Sequence, residues 1–349
     1  MSTKPINIVW LKRDLRTQDH QGFSCAENAN IDYRIVYFFE PSIITYPDTS
    51  DRHLQFIYHS IKAINKTLAP FNRSVDVFYG SAEAIFEHLS NIFDIQHIYS
   101  YRESGTKTTW QRDKKVASFA KTNDICWEEF QRDGILRGIK NRIDWSKQWQ
   151  AKMHTPVQQN NFSITSQKLL SHPFLLPKKL ESKLKDYSKH YQPAGEGNAW
   201  RYIKSFAEKR GFNYQKHISK PAQSRLSCSR LSPYLAWGNM SVKQAFQYIG
   251  THPSGTKNSK AFSAMLTRLH WHCHFIQKFE VDCSYETHCI NSGYELLQHT
   301  KNEAFIKAWK TGNTGIPLID ACMRAVEETG WINFRTVSYT HLTLPTMLM

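Results

Sequence analysis

The sequence predicts an α/β protein in two parts: a parallel-sheet, Rossmann-like domain and then an all-helical one. Three observations predict it. Residues 1–130 alternate short apolar runs with longer amphipathic ones; beyond residue 195 the apolar spacing is helical almost throughout; and 349 residues suffice for two cores.

In chain order, INIVWL (6–11), YRIVYFFE (33–40), SVDVFYG (74–80), IQHIYSY (95–101) and the weaker DICWEEF (124–130) read as buried strands. Between them, RHLQFIYHSIKAINKTL (52–68), SAEAIFEHLSNIF (81–93) and TTWQRDKKVASFA (108–120) have helical spacing. Such alternation implies a parallel sheet with right-handed crossovers and ligands at the carboxyl ends of its strands. Neither a GxGxxG nor a Walker sequence follows the first strand. KRDLRTQDH (12–20) stands there instead, and its charges predict a solvated loop.

Residues 131–194 are rich in Lys, Gln, Asn, Ser and Pro, which predicts a basic connector draped over the surface. The helical domain spans 195–335. Its segments are GEGNAWRYIKSF (195–206), SPYLAW (232–237), SVKQAFQYI (241–249), AFSAMLTRLHWHCHFIQKF (261–279) and NEAFIKAW (302–309).

Forty-five Lys and Arg against thirty Asp and Glu leave a net charge of +15. Residues 131–220 hold eighteen Lys/Arg and only six Asp/Glu, which is either a solvated face or a site for a polyanion. Seven cysteines without a CxxC pair argue against a zinc or iron–sulfur cluster and against a disulfide scaffold; no metal is expected. With neither a signal peptide nor an apolar run of membrane-spanning length, the expectation is a soluble, cytoplasmic monomer. Aromatic residues make up 13%, which serves packed cores or stacking on a planar cofactor or on bases.

Two stretches carry chemistry. In SRLSPYLAWG (229–238), Ser229 or Ser232 can cap a helix begun by Pro233, leaving backbone N–H groups and a positive dipole end suited to phosphate. Taken alone, this is an ordinary helix cap. In WKTGNTGIPLIDACMRAVEETGWINFR (309–335) a Gly-rich loop precedes a helix on which Asp320 and Arg324 lie four residues apart, which predicts a structural ion pair.

Five collinear blocks resemble the photolyase/cryptochrome family (deoxyribodipyrimidine photolyase-like proteins). VWLKRDLRTQDH (9–20) is similar to its WFRRDLRxxDN opening, and GEGNAWRYIKSF to its entry into the helical domain. CSRLSPYL (228–235) is similar to the string that holds the FAD diphosphate, with Cys228 replacing a Thr. RLHWHCHF (268–275) occupies the place of ELxWREFY, and residues 309–331 match TGxPxxDAxMRxLxxTG almost throughout.

The resemblance implies FAD as cofactor. Cys228, Ser229, Arg230, Leu231 and Ser232 would line its phosphates, and Tyr214 would touch it, at a spacing about two residues longer than the family's. Arg268, His272 and Phe275, at i, i+4 and i+7, would share one cofactor-facing helix side, with Trp331 and then Asn333 or Phe334 beside the flavin. Trp271 and His272 are the candidates for the substrate pocket, Trp271 by stacking on a flipped pyrimidine pair, with a core Trp as the plainer reading. The implied partner is DNA containing pyrimidine photolesions, and the implied activity is light-driven repair by electron transfer from reduced flavin. A cryptochrome-type blue-light receptor signalling through photoreduced FAD is the alternative. Arg268 and His272 stand where cyclobutane-dimer enzymes have Glu and Arg, which counts against that specificity. Thr108 and Thr109 fall where folate-antenna members have Asn-Glu, so a folate antenna is not supported and the antenna chromophore stays unknown.

From Thr336 the chain reads TVSYTHLTLPTMLM, without helical periodicity, where the family has a long amphipathic helix. It is similar to the translation of a sequencing-library adapter, so residues 336–349 are expected to be a non-native tail. The 1–349 chain is accordingly expected to be an inactive fragment that binds FAD weakly, if at all, and tends to aggregate.

Overall fold

A computed structural model describes residues 4–166, 169–298 and 300–337. Five parallel strands form one sheet in the order β3-β2-β1-β4-β5: β1 (Pro5–Leu11), β2 (Tyr33–Phe39), β3 (Val75–Tyr79), β4 (Asp94–Tyr101) and β5 (Cys126–Phe130). The order reverses between β1 and β4, the switch point at which such sheets open a crevice.

Both faces are covered, which is why the strands read as apolar runs rather than as alternating ones. Ile6, Ile8 and Trp10 of β1, with Val36 and Phe38 of β2, point to the side packed by Phe86 and Leu89 of α3 (Ala82–Ile92) and Val116 of α4 (Lys107–Thr122). Val9, Leu11, Ile35 and Phe39 point the other way. There they meet Phe23 of α1 (Gln21–Asn28) and Leu54, Ile57, Ile61 and Ile64 of α2 (Asp51–Leu68). Period two along each strand thus supplies two cores.

The stretch 131–194 departs from a surface connector. Its helix α5 (Trp145–Met153) puts Trp145, Trp149 and Met153, all no more than 3% exposed, into the core of the helical domain. Helix α6 (Lys178–Lys185) sends Leu184 into the core beneath the sheet. Tryptophans at i and i+4 with Met at i+8 form a helical stripe, and the surrounding polar residues masked it.

The helical domain comprises α7 (Glu196–Glu208), α8 (Pro221–Ser227), α9 (Ser232–Ala236), α10 (Val242–Thr251), α11 (Ser259–Val281), α12 (Glu303–Lys310) and α13 (Pro317–Thr329), short turns aside. Helix α11 is its axis. It buries Phe262, Met265, Leu269 and Cys273, and its Gln277 side chain both accepts from and donates to the backbone of Leu136, at 2.7 Å each. Among the described residues no helix is long and apolar enough to cross a membrane.

KRDLRTQDH is not a solvated loop. Asp14 and His20 are fully buried, and Lys12, Arg16, Thr17 and Asp19 are at most 5% exposed. The segment joins the two domains. Leu15 N–H donates to the Trp237 carbonyl, Arg16 to the Gly238 carbonyl, and Thr17 to Glu196 through both its amide and its hydroxyl at 2.8 Å. Asp19 accepts from Ser241 at 2.6 Å and pairs with Lys243 at 2.8 Å. Gly238 makes this approach feasible: it has φ +71°, and a Cβ there would lie 2.1 Å from the Arg13 carbonyl oxygen. The charges are buried because they are partnered, Arg16 and Asp19 across the domain boundary, and Asp14 with His20 and Lys12 with Asp113 and Glu129 inside the α/β domain.

Candidate cofactor site

One cavity of about 1090 Å³ lies against α11. The loop 228–232 and Leu235 form one wall, the α11 residues Met265, Arg268, Leu269, Trp271, His272 and Phe275 a second, and Trp331 to Phe334 with Tyr214 and Val337 the rest. All the residues singled out in the sequence for a cofactor meet here. Met265 and Leu269 went unnamed, although the same i, i+3/i+4 rhythm that selected Arg268, His272 and Phe275 passes through them.

The loop at 228–232 takes its shape from arginines rather than from a serine cap. Helix α9 has Leu231 as its N-cap residue, and neither Ser229 nor Ser232 caps it by side chain. With Pro233 as second residue the first turn still forms, because its ring presets φ. Arg210, not foreseen, donates to the carbonyls of Tyr202, Leu226 and Cys228 at 2.7–2.9 Å and clamps the loop from behind. Arg230 adopts φ +59°, exchanges hydrogen bonds with Gln192 and stacks over Trp331 at 5.2 Å. Burial pushes the Cys228 thiol up to about 11, against the pull of Arg210 and Arg230.

On α11, Arg268 lies over the Phe334 ring at 4.1 Å and faces the Tyr214 phenol, which burial raises to about 12. Burial lowers the His272 pKa, with Arg132 acting the same way and Asp133 opposing, so its imidazole is neutral at neutral pH. Its Nε2 is buried and has no hydrogen-bond partner among the described residues. Trp271 and Phe275 are 47% and 57% exposed and pack edge to face at 5.9 Å; Trp271 is not a core residue. Asn333 lines the cavity, but both ends of its amide are engaged. Its Nδ2 donates to Ser224 at 2.6 Å, and its Oδ1 accepts from the amides of Arg335 and Thr336.

The expected Asp320–Arg324 ion pair is not formed. Asp320 accepts from the Thr314 amide and hydroxyl and the Gly315 amide, while Arg324 donates to Gly312 and Asn313. Each tightens the Gly-rich loop separately. The Thr314 hydroxyl, foremost, holds the Asp320 carboxyl below its usual range. Of the expected tail, Thr336 is buried and Val337 described; 338–349 lie outside the described residues.

Among the described residues no carboxylate lines the cavity; Arg230, Ser229 and Ser232 stand on the loop wall, Arg268 stands on the α11 wall, and the rest is mostly apolar and aromatic. That donor set fits a ligand with an anionic diphosphate and flat aromatic ends. A second cavity of about 770 Å³ shares Ser232 and Trp331 with it. A third, about 900 Å³ at the carboxyl ends of β1 and β2, shares His53, Ala236 and Trp237 with the second. At its floor Arg112 bridges Glu40, Glu103 and Asp113 at 2.7–3.0 Å, and Arg13 meets Glu103 at 2.8 Å.

The fold and cavity together define an α/β domain welded to a helical cofactor-binding domain. Residues 7–174 match the family model of DNA photolyase, and 265–345 that of the FAD binding domain of DNA photolyase. The chain belongs to the photolyase/cryptochrome family, and FAD is its cofactor. A deoxyribodipyrimidine photo-lyase of Vibrio cholerae is 23% identical over 357 residues, covering 95% of this chain and 73% of that protein. Cryptochrome-1 of Sinapis alba is 24% identical, covering 96% and 71%. The crystal structure of a class III photolyase from Agrobacterium tumefaciens superposes with a TM-score of 0.83 at 20% identity, covering all of this chain and 74% of that one.

Proposed function

We propose that this protein repairs pyrimidine photolesions in DNA with light, holding FAD in the cavity against α11 and presenting the lesion at its mouth. The observation that carries this reading is the exposed Trp271–Phe275 pair on the rim of a carboxylate-free cavity. Two half-exposed aromatics cost hydrophobic stability unless a flat ligand covers them, and an extruded base pair is such a ligand.

Bound reduced FAD would supply an excitable electron donor for splitting the lesion, with no net redox change. The chain's own residues orient and shield. Ser229 to Ser232, with Arg230, would hold the diphosphate and Arg268 would meet the cofactor from α11, while Met265, Leu269 and Trp331 offer apolar contact. Neutral His272 can donate or accept one hydrogen bond without bringing a charge into the pocket. The basic stretch 131–220 supplies attraction to the DNA backbone.

A second reading, a blue-light receptor, is favoured by one feature. Arg268 and His272 replace the Glu and Arg of the cyclobutane-dimer pocket, and a guanidinium cannot accept a base N–H. An assay of lesion loss from oligonucleotides carrying a cyclobutane dimer or a (6-4) product, light against dark, separates the two. FAD-loaded protein should remove one of these lesions in light only. Removal of neither would favour the receptor.

A further inference from the structure

Beside the cavity, α11 carries a second face that the cofactor does not use. His270 and His274 lie one turn apart, their rings 6.5 Å from centre to centre. His270 packs on Trp145 and Trp149 of α5 at 5.1 and 4.8 Å, with its Nε2 3.1 Å from the Ser146 hydroxyl. Arg142, just before α5, places Nη1 3.1–3.2 Å from both ring nitrogens of His274.

A guanidinium only donates, so this contact requires a neutral imidazole, and protonation of His274 would set two cations together. Carboxylates that could compensate are engaged elsewhere: Asp133 pairs with Arg132 and Glu280 with Arg137. Asp144, exposed at the start of α5, makes no ion pair with Arg142, His270, His274 or Lys278 among the described residues. The cluster gathers three side chains that can each donate to one anion. It is also continuous with the cavity rim, because His274 touches Phe275 at 5.5 Å and Phe275 touches Trp271.

We propose that Arg142, His270 and His274 form a binding site for a DNA backbone phosphate, next to the aromatic rim on which the bases stack, and that both histidines take up protons as the strand binds. This deepens the DNA reading above and rests on it. A phosphate entering the cluster would accept from Arg142 and from both imidazoles, which then carry charge at no repulsive cost. In the free protein burial lowers both pKa values, and Arg142, His270 and Lys278 lower that of His274 further, so there are protons to gain near neutral pH. A phosphate shifts both upward, and affinity must rise as pH falls.

The test is fluorescence anisotropy of the whole chain with a short labelled duplex, from pH 5.5 to 8.5 at fixed ionic strength, and a salt titration at pH 6. The wild type should bind roughly tenfold or more tightly at pH 6 than at pH 7.5, as one to two linked protons require. H270Q/H274Q should flatten that dependence, and R142Q should reduce the salt slope by about one. K115Q, on α4 far from the cluster, should change neither the pH dependence nor the salt slope. H274Q alone, at a half-exposed position, guards against misfolding of the double variant, with far-UV circular dichroism as check. DNA binding that is flat with pH, or a double variant keeping the wild-type pH dependence, overturns the proton-linked cluster and leaves the DNA reading standing. No binding at any pH overturns both.

Discussion

Cys228 shows how a single residue in the cavity wall is governed by its surroundings. Burial raises its thiol to about 11, so at neutral pH it is protonated and a poor nucleophile. The exposed Cys126, Cys283 and Cys289 should react with a disulfide reagent at pH 8 well before it does. Mass spectrometry of the modified peptides should show Cys228 unlabelled in that first phase, and slower still with FAD present. Early labelling of Cys228 would contradict its placement. Asn333 makes the complementary point. With both amide ends spent on Ser224 and on two backbone amides, it holds the loop after Trp331 in place. Asn333→Ala should cost about 1–3 kcal/mol by leaving buried groups unpaired, read as a lowered denaturant midpoint.

At the scale of elements, the segment 12–20 decides how the domains join. Gly238→Ala forces a side chain into left-handed backbone and against the Arg13 carbonyl. It should destabilise by at least about 3 kcal/mol, seen as a fall in Tm of several degrees. Asp14 and Asp19 are both held below the usual carboxylate range. In each, burial opposes the shift but is outweighed, by His20 for Asp14 and by Arg16, Lys243 and Ser241 for Asp19. Because their folded pKa values are depressed, the stability they add is present above about pH 4 and lost as pH falls through the folded values. Chemical denaturation between pH 5 and 3 should therefore show a shallower pH dependence in Asp19→Asn than in the wild type. An unchanged slope would contradict the sign.

The elements themselves were legible because both their signals are local. Apolar runs bounded by turns gave the five strands, and 3.6-residue spacing gave α2, α3, α4 and α11. The cavity residues were legible through the spacing on α11 and through the family motif at 228–235. What was not legible depends on partners far along the chain. KRDLRTQDH reads as solvated because charge normally is; its burial rests on Glu196, Ser241 and Lys243, nearly two hundred residues or more away. Asp320 and Arg324 have ion-pair spacing, yet a loop with free amides and carbonyls outcompetes the pair. Arg210 carried no signal, since its role is defined only by the carbonyls and the Ser205 hydroxyl it meets.

For the whole molecule, the cavity between α11, the 228–232 loop and Trp331 is formed within the described residues, whereas the sequence led to an expectation of weak or absent FAD binding by this chain. Its carboxylate-free lining and two arginines argue for saturable binding. The direct measurement is a titration of the 349-residue chain into FAD, following flavin fluorescence, with wild type and an Arg230→Ala/Arg268→Ala variant. Quenching should saturate at one FAD per chain, as stacking on Trp331 requires, and binding in the variant should be at least about tenfold weaker, the loss of two charge-assisted contacts. Quenching that does not saturate, or equal affinity in the two proteins, would contradict the assignment of this cavity to FAD.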